Sequence, residues 1–353
     1  MGDTLRYGII GSGMMGTEHM RNIAVVDGAD VVAYADPHEP SRGFGALTCP
    51  DARGYSDYRD LLDDADVDAV IVATPNHTHR AVLEDLFATG KHILCEKPMC
   101  TSVEDARWVA DRAEAYGGVF WCGMEYRYMA PVARLVAAVH DGAVGTLRML
   151  AIREHRFPFL PKVDDWNRFE RNTGGTLVEK CCHYFDLMRL ITQSEAVRVY
   201  ASGAQDVNHL DERYAGEQPD ILDNAFVVVD FASGTRALLD LCMFAEGSRN
   251  QEEIAATGDA GKVESFVPSS DFVEGRRRGE DGLPAVRVEN VPVDPIALEA
   301  GFHHGATYYA HQAFGRAVRG ESEVEVTAHD GLRAVEIGAA AEASVRSGQP
   351  VAL

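Results

Sequence analysis

Apolar and polar positions alternate along this chain in two regimes. In the first, short apolar runs are separated by stretches of helical spacing. Leu5–Ile10 reads as a buried strand ending at Gly11, and Met14–Val26 follows with helical periodicity. Val31–Ala35 is a second strand, closed by Asp36-Pro37, and Asp57–Leu62 a short helix. Ala69–Ala73, His92–Cys95 and Val119–Cys122 are further strands, with helices over Thr78–Thr89 and Val103–Tyr116 between them. Strands alternating with helices in this way predict βαβ units and a parallel, doubly wound sheet.

After Gly123 the pattern changes. Pro131–His140 is one more helix. Then period-two segments dominate: Leu147–Arg153, Val197–Ser202, Ala225–Phe231, Thr235–Met243, Glu252–Ala256 and Lys262–Phe266. Asp230–Thr235 and Gly258–Gly261 have the composition of hairpin turns. These features predict a mainly antiparallel α+β domain, interrupted by a helix over Leu177–Ile191. Helices over Thr307–Arg319 and Gly331–Ser347 and a short strand over Val351–Leu353 end the chain. Coming so late, those helices are candidates to pack back on the first domain. Glu274–Asp281, with three consecutive arginines, reads as a solvated loop. The expected division is 1–125 and 126–353.

Composition narrows the partners. With 353 residues, 33 Lys and Arg against 55 Asp and Glu, the formal charge is −22. No basic stripe is available for a nucleic acid, and an anionic membrane surface would repel the chain. No run approaches the roughly 20 apolar residues of a bilayer span, and the first residues lack a signal peptide's basic start and apolar core. The seven cysteines include no Cys-x-x-Cys. An odd number lying in apolar runs suits free thiols in a reducing cytoplasm.

Three constellations carry candidate chemistry. Gly11-Ser12-Gly13-Met14-Met15-Gly16 is a G-x-G-x-x-G that follows a strand and opens a helix. The first glycine permits a tight turn, the second lets a pyrophosphate approach, and the third lets helix and strand pack closely. Asp36, 20 positions after Gly16, is placed to accept from ribose hydroxyls and to repel a 2′-phosphate, which favours NAD over NADP. Arg42 is the feature that speaks for NADP. The second constellation is Glu96-Lys97-Pro98, at the carboxyl end of a strand, where an open α/β sheet binds ligands. Its lysine suits a hydrogen bond to a substrate hydroxyl, or else a surface pair with Glu96. The third runs from Thr173 to Asp186. Glu179 and His183 are four apart, so on a helix they share a face, and Gly174-Gly175 lets backbone come close to a ligand. A histidine suits removal of a hydroxyl proton while hydride leaves, and a carboxylate can orient it.

Other readings of these residues stay open. Glu179, Cys182, His183, His77 and His79 are potential metal ligands, although the spacing is unlike that of zinc sites, and no metal is expected. Cys182 with His183 is a poor nucleophile pair, because helix neighbours do not face each other. Trp166-Asn167 on the loop ahead, Tyr126-Arg127 after the last strand of the first domain, His155 at the end of a strand, and His304 are candidate substrate contacts, and loop or core roles compete in each case.

The chain resembles the Gfo/Idh/MocA oxidoreductases over essentially its whole length. The resemblance rests on Gly11–Gly16, Ala73-Thr74-Pro75-Asn76-His77-Thr78-His79, Cys95-Glu96-Lys97-Pro98, Gly174-Gly175-Thr176-Leu177, and Ala341-Glu342-Ala343-Ser344-Val345-Arg346-Ser347-Gly348. It implies a Rossmann domain followed by an open-faced antiparallel sheet that serves homo-oligomer contacts, as a dimer or tetramer. It implies that Lys97 lies at the active centre and that Thr74, Pro75, Asn76, His79 and Glu96 line the cofactor. Where the family usually has Asp, this chain has Glu179, followed by Lys180. The implied activity is NAD-dependent oxidation of a secondary hydroxyl on a cyclic polyol or sugar (inositol, pyranose, anhydro-sugar or glycoside) with His183 as base. An NAD-recycling glycoside-cleaving enzyme and a non-catalytic NAD sensor are the alternatives.

Overall fold

The computed structural model describes residues 4–64, 66–279 and 281–353. They form two compact units, Met1–Tyr128 with Asp294–Val335, and Met129–Val293 with Glu336–Leu353.

The first unit is built on β1 (Leu5–Ile10), α1 (Met14–Ile23), β2 (Ala29–Ala35), α2 (Glu39–Thr48), β3 (Arg53–Tyr55), α3 (Tyr58–Leu62), β4 (Ala69–Val72), α4 (His79–Leu86), β5 (His92–Glu96), α5 (Val103–Glu114) and β6 (Phe120–Gly123). The strands pair in parallel in the order β3-β2-β1-β4-β5-β6. This is the doubly wound arrangement whose direction reverses between β1 and β4. All four residues of β4 are buried, as is most of β1, because a parallel sheet is covered on both faces and its strands read as continuous apolar runs. Helix starts carry their own signals. Asp57 accepts from the Arg59 amide ahead of α3, and Ser102 accepts from the Asp105 amide ahead of α5. Two elements escape the periodicity. Phe44 and Leu47 of α2 point to solvent, so this helix has no apolar stripe, and β3 is an edge strand of three residues.

In the second unit, α6 (Ala130–His140) and β7 (Leu147–His155) are followed by α7 (Glu170–Thr173), α8 (Thr176–Glu179), α9 (Cys182–Thr192), β8 (Ala196–Ala204), β9 (Asn224–Phe231), β10 (Arg236–Cys242), β11 (Glu252–Gly258), β12 (Gly261–Val267), β13 (Asp271–Arg276) and β14 (Ala285–Asn290). α10 (Pro295–Ala300) and α11 (Ala306–Val318) belong to the first unit. α12 (Ala328–Ser347) runs through the residue where the division falls, and β15 (Val351–Ala352) closes the chain. The sheet has nine strands in the order β14-β13-β12-β11-β7-β10-β9-β8-β15, antiparallel except for the β10–β7 pair. Both hairpins form as read. At the first, Gly234 takes φ +84° and the Phe231 amide donates to the Thr235 carbonyl; β11 and β12 flank the second. One face of the sheet is covered by α6 and α9. Along β9, Ala225, Val227, Val229 and Phe231 turn inward, while Phe226 and Val228 stay exposed.

Two readings of the chain are corrected. Glu274–Arg276 is not loop but the end of β13, which pairs with the exposed edge strand β14. β13 is paired on both sides, by β12 and β14, but Glu274, Gly275 and Arg276 are not buried and carry no apolar alternation, so the segment has the composition of a loop. The helix over Leu177–Ile191 is broken at Lys180-Cys181 into α8 and α9. The Cys181 amide reaches back to the Thr176 carbonyl, and the Tyr184 amide bonds the Cys181 carbonyl three residues back.

Candidate active site

The glycine loop joins β1 to α1 at the carboxyl edge of the parallel sheet. Gly11 has φ +93°, and a β-carbon there would stand 2.5 Å from the Ala73 carbonyl oxygen. At Gly16 a β-carbon would lie 1.8 Å from the Gly11 carbonyl oxygen, so no other residue lets α1 seat on the loop. Gly13 differs: a β-carbon would meet nothing within 4 Å, so its backbone faces open space at a helix N-terminus. Met14 and Met15 follow in the first turn of α1. Ser12 is buried and its hydroxyl donates to the Ser41 carbonyl at 2.9 Å.

Asp36 sits just beyond β2. Its Oδ2 accepts the Ser12 amide and its Oδ1 the His38 amide, each at 2.9 Å, which ties the carboxylate to the loop. Arg42 is turned to backbone, its Nη1 donating to the Asp36 and Pro37 carbonyls at 2.7 and 2.9 Å. Asn76 supplies a further donor. It lies in a 3₁₀ turn after β4, and its Nδ2 is buried with no hydrogen-bond partner among the described residues. An open glycine, a loop-anchored acid and an orphaned amide suit a dinucleotide's phosphates, ribose and polar edge, so these residues fit NAD. The Thr78 hydroxyl holds Thr74 Oγ1 and the Pro75 carbonyl, each at 2.7 Å. His79 is wholly buried between the Thr74 and Pro98 carbonyls at 3.0 Å each, and burial lowers its pKa. Its ring thus holds two strand-end loops together rather than facing outward.

Around Lys97 the first unit gathers buried charge. The Lys97 amide donates to Glu96 Oε2 at 3.1 Å, and Glu96 Oε1 meets His19 Nε2 at 2.8 Å. Burial pushes the Glu96 carboxyl up, but the hydrogen bond and charge of His19, with Lys97 and His303, outweigh it and hold the group below its ordinary value. Glu125, in the turn after β6, is raised to about 7 by burial and by the charge of Glu96. Glu18 is buried. Its Oε1 accepts from His303 Nδ1 at 2.7 Å and from the Phe302 amide at 3.1 Å. Glu18, His19 and Glu125 were not singled out from the sequence. The available signal was in α1, where Glu18, His19 and Asn22 share the buried side with Met20 and Ile23.

The second unit holds the other constellation. Glu179 ends α8, and His183 lies in the first turn of α9, both buried. They are therefore divided by the break rather than carried on one uninterrupted helix. Lys180 is buried and its Nζ stands 3.0 Å from Glu154 Oε1, which Arg156 also reaches at 3.2 Å. Burial, the charge of Glu154 and neighbouring groups leave Glu252 at about 7. Lys180 is thus committed to a buried ion cluster. Gly175 of the glycine pair packs against the protein itself. Gly174 and Gly175 have φ +81° and +92°, and a β-carbon on Gly175 would lie 2.3 Å from Glu342 Oε1. At Gly175 the close approach is to a side chain of α12.

The candidate substrate residues are divided between the units. Tyr126 is buried in the first, its ring 6.2 Å from that of His303. Arg127 donates to the Glu325 carbonyl at 2.6 Å and stands 3.5 Å from Asp330. His304 has φ +52°, and burial lowers its pKa. In the second unit His155 Nε2 is 3.1 Å from Asp240. The Trp166 carbonyl accepts from Asn172 at 2.9 Å. Asn167 departs from its expected role: it is fully buried, donating to the Leu160 carbonyl at 3.0 Å and accepting from Arg168 at 3.3 Å, so it shapes the loop from within.

Residues 5–124 match the family described as "Oxidoreductase family, NAD-binding Rossmann fold", and residues 136–353 its "C-terminal alpha/beta domain". The chain is 29% identical over 352 residues to the uncharacterized oxidoreductase YrbE of Bacillus subtilis, covering 98% of this chain and 96% of that one. It is 29% identical over 236 residues to the myo-inositol 2-dehydrogenase of Thermotoga maritima, covering 67% and 68%. Among solved structures, levoglucosan dehydrogenase in complex with NADH superposes with a TM-score of 0.86 at 22% identity, covering 99% of this chain and 98% of that one, a likeness of fold.

Proposed function

This chain belongs to the Gfo/Idh/MocA oxidoreductases and binds NAD, and from that premise we propose that it oxidises a secondary hydroxyl of a cyclic polyol or sugar. The observation that carries the reading is the open backbone at Gly13, with Asp36 and the orphaned Asn76 amide about the same sheet edge. The amides of Gly11–Gly16 would hold the pyrophosphate and Asp36 the adenosine ribose, with Thr74, Pro75, Asn76 and Glu96 along the rest. When bound, NAD supplies the hydride acceptor. Lys97 hydrogen-bonds the reacting hydroxyl, His183 accepts its proton, and Glu179 orients His183. Tyr126, Trp166 and His304 offer rings and a ring nitrogen to a polyol. The name of the Thermotoga relative, a myo-inositol dehydrogenase, supports the substrate class.

Two wider proposals accompany this one. The exposed apolar residues of the nine-stranded sheet, Phe226, Val228 and Tyr200 among them, support a homo-oligomer closed over that face. Unbridged Cys49, Cys95, Cys100, Cys181 and Cys242 support a reducing, cytoplasmic setting. Among the described residues no helix is long and apolar enough to cross a membrane.

The test is a panel of inositols, aldoses, glycosides and 1,6-anhydro-sugars, followed by NADH appearance. Lys97→Ala and His183→Ala should abolish turnover while NAD binding survives. Full activity in either variant refutes the role assigned to it. Glycoside cleavage by protein that retains NAD, without NADH accumulating, would point instead to the recycling enzyme.

A further inference from the structure

We propose that Glu96, His19 and His311 form a proton path from the carboxyl end of β5, beside Lys97, to a solvent cleft at the amino-terminal edge of the same sheet. All three residues lie in the first unit and are buried to 5% exposure or less. His19 Nε2 stands 2.8 Å from Glu96 Oε1, and His19 Nδ1 stands 2.9 Å from His311 Nε2. The two imidazoles meet edge to face, with centroids 5.1 Å apart and planes at 82°. These two contacts join a carboxylate and two imidazoles into one continuous buried hydrogen-bonded chain.

The far end of the chain is what separates a path from a satisfied core network. His311 Nδ1 is buried and has no hydrogen-bond partner among the described residues. The Tyr7 hydroxyl, 0% exposed, also has none. His311 and Tyr7 both line one cleft, at the starts of β1 and β2, with Gln312, Arg316 and Arg319 of or beside α11. Two unpaired buried polar atoms on one cleft call for water.

Tautomers follow from the termini. Glu96 is held below its ordinary pKa and is a carboxylate, an acceptor only. His19 therefore donates through Nε2–H, and its Nδ1 accepts from the Nε2–H of His311. That leaves the lone pair of His311 Nδ1 for the cleft. Burial holds His311 well below its usual pKa, which keeps this ring neutral. For inward transfer, a cleft water gives a proton to His311 Nδ1 and leaves hydroxide, which bulk solvent neutralises. The His311 Nε2–H passes to His19 Nδ1, and the His19 Nε2–H passes to Glu96 Oε1. Each bond to hydrogen that forms replaces one that breaks, and one proton is carried in net. The reverse sequence starts from that end state, with Glu96 protonated and both rings carrying Nδ1–H, moves one proton out and restores the starting tautomers; two transfers in the same direction need both rings to change tautomer between them. Around Glu96, the charged and titratable groups are His19 from α1, Lys97 beside it, Glu125 after β6 and His303 before α11. Around His311 they are His19 and Tyr7, with Arg319 at the cleft. The proposal rests on the dehydrogenase reading only in its use: oxidising a secondary alcohol releases one proton, and the reverse reaction consumes one.

The experiment separates the path from that use. In full-length protein with ¹⁵N-labelled histidine, long-range proton–nitrogen NMR should show the proton of the His19–Glu96 contact on His19 Nε2 and the proton of the His19–His311 contact on His311 Nε2. Finding His19 as the Nδ1–H tautomer overturns the path with no variant needed. His311→Gln keeps a donor to His19 but cannot change tautomer. It should slow solvent exchange of the His19 ring N–H at least about tenfold; unchanged exchange overturns the path. On any substrate the wild-type enzyme turns over, this variant should lose about tenfold in kcat with KM unchanged, and imidazole should restore His311→Ala. Absence of wild-type turnover would count against the dehydrogenase reading alone, since the tautomers and exchange rates are read without substrate.

Discussion

Glu342 and Gly175 occupy one another's space. The Glu342 carboxyl lies where a Gly175 side chain would project, and its Oε1 accepts the Leu177 amide at 2.9 Å. The glycine pair before α8 and the Glu-Ala-Ser segment near the end of the chain are therefore two halves of one contact. Two residues on, Ser344 continues it, its hydroxyl accepting from the Ala201 amide and donating to the Gln349 carbonyl. The helix that leads to His183 is thus capped from α12.

Gly175→Ala should cost about 2 to 4 kcal/mol, combining a left-handed backbone at a residue with a β-carbon and overpacking against Glu342. Urea unfolding of the purified protein measures it. A variant as stable as wild type would show that the contact yields easily.

Glu342→Gln should change how stability depends on pH. Burial raises the Glu342 pKa to about 7, above its unfolded value, so the folded state holds the proton more tightly. The stability this gives is fully present below the unfolded pKa and is lost as pH rises through about 7. The glutamine variant keeps an acceptor for Leu177 and removes the titration. Unfolding free energies of variant and wild type should differ more in the variant's favour at pH 8 than at pH 5. A constant difference between those pH values would refute the shift.

Asp36→Ala removes the acceptor of the Ser12 and His38 amides together with the charge expected at the ribose. NADH affinity should fall about tenfold, as loss of a charge-assisted hydrogen bond implies, while NADPH affinity falls less or rises. Calorimetric titration with both cofactors reads the ratio. Parallel losses would show that Asp36 shapes the loop without selecting the cofactor.

Phe226→Asp should dissociate the proposed homo-oligomer, because Phe226 is 60% exposed on the uncovered sheet face and its replacement leaves the core untouched. Light scattering after size exclusion gives the mass. The same mass for wild type and variant would place any interface elsewhere.

The parallel sheet was legible in the chain because its strands are apolar on both sides and each ends at a turn residue, as β1 does at Gly11 and β4 near Pro75. α2 was not, since Phe44 and Leu47 face solvent and leave no stripe, and β14 was not, since its short alternation of Val286 and Val288 with Arg287 and Glu289 lies in an exposed, charge-rich stretch. Gly11, Gly13 and Gly16 could be assigned in advance because a glycine motif states its own backbone requirement. The Glu96–His19–His311 chain could not. Its members lie 77 and 292 residues apart from His19, and hydrogen bonds over such separations leave no spacing to read. The break between Glu179 and His183 was hidden for a related reason, since Lys180 and Cys181 have ordinary helix-compatible identities. It is the Lys180–Glu154 pair that engages the residue at the break.

The division of the chain also orders its assembly on the ribosome. The first unit draws on residues up to Tyr128 and then on Asp294–Val335, so it is completed only when most of the chain has been made. Until then Glu18 lacks Phe302, His303 and Thr307, and His19 lacks His311. A nascent first half would expose these ionisable side chains where the mature protein buries them, which disfavours early closure of that half alone. Completion of the nucleotide-binding unit therefore waits until residues 294–335 have left the ribosome.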